Sequence, residues 1–114
     1  MKKLIMAILL SVAVPAIAQA KPATCLLEED GKTLYKGKCD FDPEGGGSFF
    51  ISHPSFPKKL DFAGVMVRIE NKDEAYARIF KLEGGSYMWG EVTRSQKDKA
   101  CWVGNGFKIC TWAK

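Results

Sequence analysis

The chain has 114 residues, 17 Lys+Arg against 13 Asp+Glu, and a formal charge of +4. Its 46% hydrophobic and 26% charged residues are the make-up of a globular domain rather than of a disordered tail. Lys2 and Lys3 are the only charged residues among the first twenty, so the rest of the chain balances 15 cations against 13 anions and carries +2. A charge that small, with the signs interspersed, leaves no electrostatic footprint for nucleic acid or an anionic lipid surface.

Residues 1–20 read as a cleavable export signal. Lys2 and Lys3 precede an apolar run from Leu4 to Val14, Pro15 ends it, and Ala18-Gln19-Ala20 supplies the small-x-small pattern for cleavage. The run is little more than half the roughly 20 residues a spanning helix needs, and no later stretch approaches that length. The expected product is therefore one domain, residues 21–114, periplasmic or secreted and not integral to a membrane. Removing 20 residues from 114 leaves 94, too few for a core alone to stabilise comfortably.

From residue 21 on, short runs rich in β-branched and aromatic residues alternate with turn residues. Strands are predicted at 24–28, 32–36, 48–53, 62–70, 75–82, 87–93, 100–104 and 107–112. The turns between them are Asp30-Gly31, 42–47, 54–57, 71–73, Gly84-Gly85, 95–99 and Asn105-Gly106. The pattern over 75–82 is irregular and leaves a short helix open there. Eight short strands with hairpin-length links predict an all-β fold, an antiparallel meander closing into a small barrel or sandwich.

Four cysteines in an exported small domain predict two disulfides. Asn105-Gly106 is a strong signal for a two-residue type I′ turn. Counting outward from it, Trp102 faces Ile109 and Cys101 faces Cys110 on a non-hydrogen-bonded rung, where Cα atoms lie about 4.5 Å apart. Cys101–Cys110 is thus expected, with Cys25–Cys39 by elimination. Zinc is disfavoured, because the spacings lack Cys-x₂₋₄-Cys knuckles.

Chemistry-bearing residues are sparse. His53 is the only histidine; adjacent Ser52 would point to the opposite face of a strand, so His53 reads as a surface residue near a turn. Bonded cysteines leave no thiol nucleophile. The carboxylates fall mostly at turns, and a two-carboxylate hydrolase would need a cleft that a domain this small has little room for. Asp40, Asp42 and Glu44 followed by Gly45 match the first half of a calcium loop, but position twelve, where an acid should close the site, is Ile51. No cofactor is expected.

Among the aromatics, Phe49 and Phe50 are strand neighbours, so one must face away from the core. Trp102 is expected inside, and Trp89 and Trp112 partly exposed. Exposed aromatics near glycine-rich loops suit protein or glycan contacts, which makes Trp89, Trp112, Phe49, Asp42 and Glu44 the candidate binding residues.

Three further motifs, Gly37-x-Cys-x-Phe41, Gly46-Gly-Ser-Phe-x-Ile51, and the pair Ala100-Cys-Trp102 and Ile109-Cys-x-Trp112, resemble a group of small exported bacterial proteins without an assigned activity. That resemblance covers both ends of the domain and implies no site residues. In size, signal, disulfides and predicted barrel the chain is also similar to periplasmic inhibitors of lysozyme, an architectural analogy. The expectation is a non-enzymatic exported binding protein, an inhibitor or immunity protein directed at an envelope enzyme or toxin. A small-ligand or muropeptide-binding module and a compact hydrolase are the alternatives.

Overall fold

Alternation of buried and outward-facing residues sets the architecture. In the computed structural model, which describes residues 20–113, Ala23, Cys25 and Leu27 turn inward while Thr24, Leu26 and Glu28 turn outward. The same period of two runs through most of the chain, as a sheet with one dry face requires. The export signal read in residues 1–20 lies, but for Ala20, outside the described residues.

Eight strands form in chain order: β1 (Lys21–Glu29), β2 (Lys32–Gly45), β3 (Ser48–Ser52), β4 (Phe62–Asn71), β5 (Glu74–Lys81), β6 (Ser86–Arg94), β7 (Cys101–Gly104) and β8 (Phe107–Ala113). Each pairs antiparallel with the next, and β8 returns to pair with β1, from Ala23↔Ala113 to Glu29↔Phe107. The sheet is therefore a closed barrel, the all-β meander expected, and of the two forms left open it is the barrel. An eight-stranded barrel is just wide enough for side chains to fill. Here Leu27, Ile51, Val65, Val67 and Ile109 fill it, all fully buried.

Two stretches differ from the expected elements. The turn expected over 42–47 is shorter than its composition predicts, because β2 runs on past the expected end of its strand at 36 and through Asp42, Pro43 and Gly45. It pairs with β1 as far as Phe41 and with β3 from Asp40 onward, so ladder bonds on one side or the other hold each part extended. The run 54–57 is not a plain turn: a one-turn helix, α1 (Phe56–Lys59), follows Ser55. It drops the fully buried Phe56 into the barrel mouth, edge-on to Tyr35 at 4.8 Å between ring centroids. Residues 74–81 are strand, which settles the helix left open there.

Both expected disulfides are present, with Cα separations of 5.8 Å for Cys25–Cys39 and 4.0 Å for Cys101–Cys110. Cys25–Cys39 braces β1 against β2 inside the barrel, whereas Cys101 and Cys110 lie on the outward face of the β7–β8 hairpin. The register reasoned from Asn105-Gly106 is observed, with Trp102 opposite Ile109 and Trp102 buried. The turn type is not. A type I′ turn needs positive φ at both central residues; Gly106 has φ +87°, but Asn105 is not among the residues with positive φ. The tip instead opens to seat the Phe107 ring over Gly104, and its Gly106 carbonyl accepts from the Asp30 N–H at 2.8 Å. Asp30-Gly31, between β1 and β2, does have positive φ at both centres, +53° and +78°.

Candidate binding groove

The hairpin tip that ends β7 also leaves the barrel wall incomplete. β6 has nine residues and β7 only four, and the two pair solely through Val92↔Gly104, Thr93↔Val103 and Arg94↔Trp102. Residues 86–91 of β6 thus have β5 on one side and, among the described residues, no strand on the other.

Aromatic rings fill the gap from within. A bulge in the pairing of β6 with β5 leaves Trp89 without an opposite residue, between Gly90, which faces Ala77, and Met88, which faces Arg78. Freed from the alternation, the Trp89 ring stacks on Phe107 at 4.4 Å and 14° between planes. Two glycines make room for that pair: a Cβ on Gly104 would lie 2.3 Å from the Phe107 ring, and one on Gly90 would lie 2.9 Å from it. Phe107 is buried and Trp89 is half-buried.

Beside this aromatic floor runs a groove of about 820 Å³, open to solvent. Glu70, Glu74 and Glu91 line it, and no lysine or arginine does. Glu74 is positioned by Asn71, whose side-chain N–H donates to it at 2.7 Å. A second cavity of about 340 Å³ lies at the barrel mouth under α1, walled by Leu60, Phe62, Ile79 and Tyr87, and it shares Trp89 with the groove. Leu82, Tyr87 and Met88 are the large apolar residues exposed on the adjoining β5–β6 hairpin.

The candidate residues named from sequence are placed apart. Trp89 enters the groove. Trp112 lies on β8, where its indole N–H donates to the Asp98 carboxylate at 2.9 Å and helps fold the 95–100 loop against β8. The same carboxylate accepts from the Ala100 N–H at 2.9 Å. The Ala100 bond first, and the Trp112 bond after it, hold Asp98 below its ordinary carboxylate range. Phe49 is core, packed on Phe41 at 5.1 Å, so it offers no ring to a partner; Phe50 is the neighbour that faces outward. Asp42 sits across an outer row that runs Asp42, Phe50, Met66, Arg78, Met88, which puts four strand steps between it and β6. Trp89, Trp112 and the acidic residues of β2 do not form one site.

Asp40, Asp42 and Glu44 lie along an extended strand and not in a loop. Alternate residues on a strand are roughly 6.6 Å apart, too far for three carboxylates to converge on one ion as loop ligands do. Among the described residues no group of three His, Cys, Asp or Glu is gathered as a metal site.

His53 pairs not with Ser52 but with Ser55, whose hydroxyl lies 2.7 Å from Nδ1. The Ser55 backbone N–H also donates to Nδ1, at 3.1 Å, and the Ser55 hydroxyl meets the Tyr35 hydroxyl at 3.1 Å. A general base must present its lone pair to the nucleophile. Here the Nδ1 lone pair is shared with a backbone donor, and the arrangement serves to tie the α1 loop to β2.

Sequence reasoning missed Glu70, Glu74, Glu91 and Phe107. The signal available was the mismatch between a seven-residue and a five-residue predicted strand as neighbours, which implies a gap in any barrel they share. No family model, curated protein or solved structure matches this chain.

Proposed function

We propose that this is an exported, non-enzymatic recognition protein that binds another protein of the cell envelope or the secreted fraction, as an inhibitor or immunity protein of an envelope enzyme or toxin. The observation that carries the reading is the solvent-open groove beside the wall gap, set on a barrel that two disulfides brace. A surface already rigid loses little conformational entropy on binding, so its contacts convert more fully into affinity. Two disulfides are consistent with an oxidising compartment, which supports a periplasmic or secreted location. No helix among the described residues is long and apolar enough to cross a membrane. The barrel interior is filled with apolar side chains, where a membrane-spanning barrel has a polar lumen, which supports a protein that is not integral.

The test is affinity capture from envelope extract on the immobilised protein, followed by assay of the captured hydrolase with and without added protein. Dose-dependent inhibition at micromolar protein is the expected result; absence of any specific partner refutes the reading. The neighbouring Tyr87 and Trp89 at the mouth cavity favour a second reading, a glycan ligand, and for it titration with muropeptides should change the tryptophan emission.

A further inference from the structure

Resting on the recognition reading above, we propose that residues 86–91 of β6 accept an extended, lysine- or arginine-bearing segment of the partner protein as an added strand. Its cationic side chains would lie against Glu70, Glu74 and Glu91.

The backbone supplies the first half of the argument. A strand edge presents a row of N–H and C=O groups that pair with any extended chain of suitable side chains, and strand addition is a common way of binding peptides. Six residues at about 3.3 Å each give roughly 20 Å of edge. An incoming segment would continue the track that β7 abandons at Gly104, above a hairpin tip anchored to Asp30. A comparable unpaired stretch, residues 32–39 of β2 on the side of β3, is occupied differently: Tyr35 there meets Ser55 and Phe56 of the α1 region. No such contact from another segment is seen at the β6 edge among the described residues, and its Trp89, Gly90 and Glu91 border the groove.

Charge and side-chain order identify the occupant. Along the groove, which the 89–91 half of the edge borders, stand three glutamates and no lysine or arginine, so an ammonium or guanidinium finds carboxylates beside an aromatic floor; at the other end Arg78 is tied to the Ser86 hydroxyl at 3.1 Å. On β6, Met88 opposite Arg78 and Glu91 opposite Tyr76 share the outer face, Gly90 lies opposite the buried Ala77, and Tyr87, though opposite Ile79, is exposed at the barrel mouth. An added strand therefore meets an apolar neighbour near one end and an acid near the other. The same acids, with the bulge at Trp89, disfavour pairing with a second copy of β6, because like charges would be brought together. The edge is guarded against itself and left open to a basic partner.

The experiment uses the ¹⁵N-labelled domain and two seven-residue peptides that alternate threonine with lysine or threonine with glutamate. The lysine peptide is expected to shift the amides of residues 86–91 and to slow their hydrogen exchange at least tenfold. The glutamate peptide should do neither. A Glu70→Gln/Glu91→Gln variant, its spectrum otherwise intact, should bind the lysine peptide about tenfold more weakly. Equal binding of both peptides, shifts centred elsewhere, or no binding of either overturns the proposal. So does a captured envelope partner that the double variant retains undiminished, an outcome that leaves the recognition reading standing. Peptide binding at 86–91 with no partner captured by the native protein has the opposite meaning: the edge is as proposed and the recognition reading fails.

Discussion

Phe107 closes the barrel where its strands do not, and Phe107→Ala measures what that closure is worth. The ring is 8% exposed, stacks on Trp89 at 4.4 Å and packs over Gly90 and Gly104. Burying a phenylalanine removes on the order of 200 Å² from water, about 5 kcal/mol at 25 cal/mol per Å². A compact unfolded chain reduces that by some 10–40%, to about 3–4.5 kcal/mol. Loss of the stack adds about 0.5–1.5 kcal/mol. Against this, the adjoining groove lets water reach part of the space left behind, so the expected loss is about 3–4 kcal/mol, within the range for Phe→Ala in cores. For a domain of this size that lowers the Tm by roughly 12–30 °C. Urea unfolding followed by circular dichroism, with the disulfides intact, gives the free energy, and tryptophan emission should shift to the red as Trp89 becomes wetter. Phe107→Leu, which keeps most of the volume and loses the stack, should lose less than half as much. A loss under about 1 kcal/mol for Phe107→Ala would show that the ladder alone closes the barrel and that the aromatic floor is incidental.

Gly64→Ala places a Cβ 2.3 Å from the Phe50 ring and 2.8 Å from the Ile51 carbonyl oxygen. It should destabilise by about 1–3 kcal/mol, and adding Phe50→Leu should restore only part, since the carbonyl belongs to the neighbouring strand; full restoration in thermal melts would place the clash in the ring alone. Joint replacement of Cys25 and Cys39 by alanine opens a 15-residue loop and should cost about 2–5 kcal/mol in urea unfolding; a cost under 1 kcal/mol would mean that packing alone holds β1 to β2. Asp98 has a folded pKa below its unfolded one, so its contribution is complete above the ordinary carboxylate range and fades as pH falls through and beneath that range. The Trp112 indole N–H resonance should hold its position down to that range and move only in stronger acid; a midpoint at or above the ordinary aspartate value would contradict the hydrogen bonding described.

Local chemistry made much of the fold legible. Short β-branched and aromatic runs between turn residues located all eight strands, and Asn105-Gly106 set a register that put Cys101 against Cys110. Where local signals erred, tertiary pairing had overridden them. Residues 42–45 have a turn composition, but pairing with β3 claims them as strand. Asn105-Gly106 suits a type I′ turn, yet the room needed by the Phe107 ring and the bond to Asp30 give the tip another shape. Of the candidate site only Trp89 was legible, from the likelihood of its partial exposure. Glu70, Glu74 and Glu91 stand 4 to 21 positions apart in the chain, and no spacing rule joins them.

Composition, period and cysteine positions alone determined an all-β domain with two defined crosslinks, because alternation and hairpin register are short-range properties that each segment carries within itself. The joining of β1 to β8, the Trp89 bulge and the early end of β7 beside a longer β6 were decided only by the tertiary structure. They follow from how strands of unequal length share one closed wall, a constraint that no single segment contains, and the acidic groove exists only as its result.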